Sequence, residues 1–264
     1  MKSKYLGEGI VVAITFVAMM SVNVLANTLP INGVTSKQVS DSYPNLFAPA
    51  PTTFAIWGVI YLLLLGYVLY QAGILGKNNE KLNHEINKYF LPNMVANGVW
   101  LVTWHYGIIW LSVMVMGVIL TTLIKIANLI KKNKLGVKER AFIATPMSVY
   151  FGWITVATIA NITVFLVSTG WNGWGISQEA WTIAILLIGA GIGITRLLSD
   201  RRVAYGLVLI WAYYGIWTQH ISVDGFGGQY PQIVRTLIFC GVLFLAAEII
   251  VLLKKGKIME IKKS

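Results

Sequence analysis

Charge is what this chain has least of. Only 12% of its 264 residues are Asp, Glu, Lys or Arg, against 56% hydrophobic, and that is about half the share usual in a soluble domain. Acids are rarer than bases, 10 against 21, and Glu248 alone among them falls within an apolar run. The three histidines, His84, His105 and His220, lie far apart in sequence, so none shares the i, i+4 spacing of a helical metal site with another. One cysteine, Cys240, excludes an intramolecular disulfide and any cysteine-based metal cluster. No Ser, Thr or Cys stands near a base and an orienting group, so nucleophilic catalysis has no footing. These shortages argue against an enzyme: no catalytic and no metal-ligating residues are assigned, and no cofactor is required.

Long apolar runs are what the chain has instead. Mean hydropathy is +0.69, and runs of membrane length recur from end to end, which defines a polytopic, all-α integral membrane protein. The net charge of +11 does not imply nucleic acid, because the basic residues sit at the ends of apolar runs.

Eight spans account for the pattern. The first covers about Gly9 to Ala26, after Lys2 and Lys4. Its Val24-Leu25-Ala26 ending also fits a cleavable signal, but Asn23 within the run and the later helices' need for a first partner favour a retained span. Residues 27–52 hold Pro30, Pro44 and Pro49 and read as a long extended external loop, a lid or a plain connector, with Pro51 at its end. The second span runs from Thr53 to Leu75, and Gly76 to Lys88 reads as a polar loop. The apolar stretch Tyr89 to Ile130 is twice a span, so it turns at Trp104-His105-Tyr106-Gly107 into a third span, Phe90 to Trp104, and a fourth, Ile108 to Leu129. A basic loop, Lys131 to Arg140, leads to the fifth, Ala141 to Ser168. The sixth is Ala180 to Leu198, where Gly189 and Gly193 give a close-packing spacing. The seventh is Val203 to Thr218, and the eighth is Gln232 to Leu253, before a basic tail.

Charge fixes the expected sidedness. With the amino terminus inside, every Lys and Arg except Lys37 and Arg235 falls on the cytoplasmic side, which puts both termini in the cytoplasm of a multi-pass cell-membrane protein.

The fifth span carries the most informative pattern. From Tyr150, the offsets to Trp153, Ala157 and Asn161 are three, seven and eleven, which line one stripe of a helix, with Thr158 to one side. An amide in hydrocarbon costs several kcal/mol, on the order of 2 to 7, unless it finds a partner. The stripe therefore faces other helices or a ligand cavity, and a packing seam is the plain alternative. Trp57 and Tyr61 share a face of the second span, and Asn97 and Trp100 lie on the third. Trp110, Trp171, Trp174 and Trp181 lie at span ends, where an interfacial belt is expected. Large rings with a few polar groups suit a bulky hydrophobic ligand.

At these residues the chain resembles the TspO family, the tryptophan-rich sensory proteins related to the mitochondrial translocator protein. Tyr150, Trp153, Ala157, Thr158 and Asn161 repeat that family's fifth-helix spacing, Asn97 and Trp100 its Asn-x-x-Trp, and Trp57-Gly58 with Tyr61 and Gly66-Tyr67 its second helix. The likeness spans about Gly9 to Ser168. It divides the chain into a TspO-like five-helix bundle, 1–168, and a three-helix extension, 169–264. Three features depart from the pattern: Pro49-Ala50-Pro51-Thr52-Thr53 lacks the Trp that follows a proline pair, Val149 replaces the proline beside Tyr150, and the three helices after Ser168 have no counterpart.

The resemblance implies a hydrophobic ligand, a tetrapyrrole such as porphyrin or haem or a sterol-like lipid, bound among Trp57, Tyr61, Asn97, Trp100, Tyr150, Trp153, Ala157 and Asn161. In that picture the rings stack on the ligand, the amides bond its polar edge or tie helices together, and Ala157 leaves room. The role is sensory or transport. Two alternatives stay open: a permease subunit whose last helices form a path with Glu248 and Arg235, and a membrane scaffold for another protein. The expected partners are the bilayer, the hydrophobic ligand and a second copy of the chain in a homodimer, without nucleic acid.

Overall fold

The computed structural model describes residues 6–29 and 31–261. Lys2, Lys4, Pro30 and the end of the basic tail, 262–264, lie outside the described residues, as does the side chain of Lys37. The described chain runs through helices α1 (Leu6–Thr28), α2 (Ser36–Asp41), α3 (Ile56–Gln71), α4 (Glu80–His105), α5 (Ile109–Lys132), α6 (Val137–Glu139), α7 (Thr145–Ser168), α8 (Gln178–Asp200), α9 (Val203–Ile221) and α10 (Pro231–Ile261). Six stretches among the described residues are long and apolar enough to cross a membrane: Gly7–Gly33, Pro51–Gln71, Ile109–Lys132, Val137–Ser168, Gln178–Asp200 and Pro231–Lys254. α4, of 26 residues, and α9, of 19, are long enough to cross but less apolar. Glu80, Lys81, Glu85 and Lys88 charge the first turns of α4, and Tyr and Trp dilute the aliphatic content of α9.

Several expected loops are helical. Residues 80–88, read as loop from their polarity, form the start of α4, with the Asn79 side chain accepting from the Leu82 amide at 3.2 Å. Such a cap lets a polar segment extend a membrane helix beyond its apolar part. Within 27–52, α2 starts from a reciprocal Thr35–Gln38 capping box. Before α7 the chain makes a π-helical turn, Arg140–Ala144. Pro146 follows it without an N–H to donate, and the Arg140 carbonyl accepts from the Thr145 backbone N–H and also from the Thr145 hydroxyl at 2.9 Å.

Two compact units divide the chain. The first comprises Met1–Tyr43 and Ile56–Ile154. In it α4 packs against α1 and α5. Asn93 of α4 is buried and donates to the Ile119 carbonyl at 3.1 Å and the Thr122 hydroxyl at 2.7 Å. Tyr67 of α3 donates to Asn87 of α4 at 3.1 Å, and its ring meets Phe90 edge-on at 5.0 Å. His84 lies within α4 and contacts Glu8 of α1 at 2.7 Å.

The second unit comprises Pro44–Ala55 and Thr155–Ser264. Its three long helices meet at glycines. A methyl at Gly189 would stand 2.8 Å from the Tyr213 hydroxyl, and one at Gly193 would stand 2.5 Å from a Leu209 methyl. Close approach of this kind is what small residues in a membrane helix permit. Cys240 is buried in this core.

The Pro44–Ala55 segment is seated along α9. The Ala50 amide donates to the Gly215 carbonyl at 2.9 Å, Trp211 Nε1 to the Thr53 carbonyl at 3.0 Å, and His220 Nε2 to the Leu46 carbonyl at 2.9 Å. Gly215 is required there, since a methyl would fall 2.0 Å from Thr53 Oγ1. The earlier part of the same loop stays with the first unit: Trp104 Nε1 donates to the Ser36 carbonyl at 3.1 Å, and Asn32 to the His105 carbonyl at 3.1 Å.

Candidate functional site

Three helices of the first unit bring their rings together around Trp57. It opens α3 and lies 5.5 Å from Tyr61 one turn on, 6.1 Å from Trp100 of α4, and 6.2 Å from both Tyr150 and Trp153 of α7. The contacts to Tyr61 and Trp100 are stacked, while those to Tyr150 and Trp153 are edge-on. Each such pair contributes roughly 0.5 to 1.5 kcal/mol beyond simple burial. Trp100 continues the stack to Trp104 at 5.9 Å. Trp57 and Tyr61 are half-buried and the other rings buried, so α3 forms the open edge of the group.

A chain of polar groups crosses this cluster. The Tyr61 hydroxyl donates to the Asn23 side-chain oxygen. Asn23 donates to Asn97 Oδ1 at 3.1 Å, and Asn97 donates to the Tyr150 hydroxyl at 2.9 Å. Four helices, α1, α3, α4 and α7, are thereby linked through one row of side chains. Asn97 is 1% exposed and Asn23 is 5% exposed, so each amide answers the other's need for a partner. Their geometry ties helices together. Trp100 adds a donor: among the described residues its buried Nε1–H finds no acceptor.

Six of the eight residues named from the sequence, Trp57, Tyr61, Asn97, Trp100, Tyr150 and Trp153, thus meet in one unit. Ala157 and Asn161 lie beyond Ile154 in α7, in the second unit, where Asn161 is buried and Ala157 half-buried. Asn23 was assigned no site role from the sequence, although its signal was present: it is the one amide in the interior of an otherwise apolar first span. Trp104, read as the end of the third span where the chain turns, lies in the last turn of α4 and stacks on Trp100, a contact that the spacing did not assign to the site.

Other features are chemically different. A groove of about 900 Å³ between residues 70–80 and 136–139 is lined by Lys77, Lys138, Glu80, Glu139 and polar backbone, with Tyr70 as its ring. Its charged walls do not suit an apolar ligand. Arg235 is exposed in the first turns of α10, 13 residues before Glu248, and the rise of a helix puts roughly 20 Å between them. The path that would join the two is not formed by adjacency.

Fold and cluster together define a multi-pass, all-helical membrane protein with an aromatic and amide core shared by several helices. A family model described as TSPO-like protein matches residues 9–251, and the chain belongs to that family. The match runs well past Ser168 and takes in α8, α9 and most of α10, so the last helices are part of the family pattern. Comparison with curated proteins and with solved structures returns no match.

Proposed function

We propose that this protein binds a flat or bulky hydrophobic molecule at the Trp57 cluster and serves as a sensor or carrier for it, with no catalytic step. The observation that carries this reading is the stacking of Trp57 with Tyr61 and Trp100, closed by Tyr150 and Trp153. Ring faces bind flat apolar surfaces with little loss of side-chain freedom. Asn23, Asn97 and the two tyrosines bond one another, and the donors available to a ligand include Trp100 Nε1–H and the O–H of Tyr150, which only accepts in that row. The favoured ligand therefore carries an acceptor, a carbonyl, hydroxyl or ring nitrogen, on an otherwise apolar body. Tetrapyrroles and sterol-like lipids both meet that description. In this reading eight helices cross the cell membrane, α4 and α9 included, with both termini in the cytoplasm.

A fluorescence titration of the detergent-purified protein with protoporphyrin and with a sterol checks it. Saturable quenching that weakens in folded Trp153→Phe and Trp57→Phe variants supports the site. Quenching that does not saturate, or that neither variant alters, reduces the cluster to helix packing.

A further inference from the structure

The charged groove of the first unit lies where two membrane-length stretches end. Pro51–Gln71 stops at its Tyr70 wall, and Val137–Ser168 begins in its opposite wall. A cavity at the ends of spanning helices stands at the height of lipid headgroups rather than of acyl chains. Glycine shapes it. Gly73 and Gly76 take the left-handed backbone, with φ of +76° and +101°, and a methyl on Gly76 would collide with Lys138 Nζ.

Two bases line this space. Lys138 donates to the Leu75 carbonyl at 3.1 Å, which fastens its ammonium across the groove. The rest of its N–H groups go to no protein acceptor among the described residues. Lys77 makes no hydrogen bond or ion pair among those residues. The acids do not cancel them. Glu139 has both oxygens engaged, one by the Gly136 N–H and the other by the Asn79 amide at 2.9 Å. Glu80 opposes the bases, but residues 76–88 and 131–140 together carry eight Lys and Arg against three Glu. Basic pockets of this kind between membrane helices suit anionic headgroups. An apolar edge completes the lining. Val137 is 83% exposed, and Ile74, between the lining residues Gly73 and Gly76, is 69% exposed. A soluble anion would leave both in water, whereas a lipid would cover them.

We propose that this groove holds the phosphate of an anionic phospholipid, with Lys77 and Lys138 as its counter-charges and Val137 against the glycerol end of its chains. Binding here needs no ligand at the Trp57 cluster.

Native mass spectrometry of the full-length protein, released from detergent containing phosphatidylglycerol or phosphatidylcholine, tests this. The first phosphatidylglycerol should be held more tightly than phosphatidylcholine, and Lys77→Ala and Lys138→Ala should each weaken it about fivefold. Lys132→Ala removes an equal charge from the same basic stretch outside the groove and should leave the affinity nearly unchanged, while Glu80→Gln should raise it. Inorganic phosphate at the lipid's concentration should not displace the lipid. The proposal fails if both lipids bind alike, if Lys132→Ala costs as much as Lys77→Ala, or if neither groove lysine matters. Displacement by inorganic phosphate would also overturn it, because the groove would then be a site for a soluble anion.

Discussion

Asn23 of α1 donates its amide to the side-chain oxygen of Asn97 on α4 at 3.1 Å, and each asparagine also holds a tyrosine hydroxyl of another helix. Inside a bilayer such bonds do not compete with water, so their loss strands buried polar atoms. Asn97→Leu leaves the Tyr150 hydroxyl without its donor and takes from the Asn23 amide one of its acceptors, the Met19 carbonyl at 3.0 Å remaining. Thermal unfolding in detergent should show destabilisation of about 1 to 3 kcal/mol. An unchanged midpoint would mean that the row of side chains is not formed.

Trp100 predicts the opposite sign. Its ring stacks between Trp57 and Trp104, but its buried N–H has no acceptor among the described residues. Trp100→Phe keeps an aromatic face and deletes the orphan donor, so the unliganded protein should melt at the same temperature or higher. Affinity for an acceptor-bearing ligand should fall several-fold, matching about 1 kcal/mol. A lower melting point together with full affinity would contradict both halves of this argument.

Gly215→Ala probes the seating of residues 44–55. The added methyl meets Thr53 Oγ1 at 2.0 Å and the Thr53 Cβ at 2.8 Å, so either the segment lifts or α9 shifts. Alanine is otherwise the better helix residue by about 1 kcal/mol, which makes a net loss of stability informative. Trp211, whose indole donates to the Thr53 carbonyl, should change its emission at the same time. Stabilisation by this substitution would show that the segment is not held there.

His220 gives a pH dependence. Burial lowers its pKa below the ordinary 6.5, an effect partly opposed by its bond to the Leu46 carbonyl. Its other ring nitrogen, Nδ1, is buried with no hydrogen-bond partner among the described residues, so a proton placed there would find no acceptor, and Phe226 lies 4.7 Å from the ring. The folded protein therefore binds this proton less readily than the unfolded chain. Stability from this group is complete above about pH 6.5 and declines as the pH falls below that, levelling off once the folded state also protonates. The melting temperature in detergent should drop over that interval, and a folded His220→Gln variant should flatten the drop. Equal slopes for the two proteins would remove His220 as the cause.

How much of this was legible beforehand follows from which forces act locally. The apolar runs and the stripe on α7 are periodic, so Tyr150 and Trp153 could be placed on one helix face from spacing alone. Asn97 and Trp100 were legible as polar and aromatic intrusions on a neighbouring span. Asn23 was not given a role, because a single amide announces a need for a partner but not which partner. The start of α4 was misread since capping by Asn79 and solvated charges make a helix without an apolar signature. The seating of residues 44–55 depends on contacts with residues far along the chain, which no local pattern encodes. Gly206 and Gly215 likewise look like ordinary helix glycines until Glu248 and Thr53 are seen against them.

That seating also imposes an order of assembly. Leu46 and the His220 that donates to its carbonyl are 174 residues apart, and at ordinary rates of synthesis roughly 10 to 35 s separate their emergence from the ribosome. Until α9 is made, the Ala50 amide and the Leu46 and Thr53 carbonyls lack the partners that α9 supplies. The last third of the chain therefore acts on the first loop as a late fastening, and a nascent chain halted before α9 would carry that loop undone.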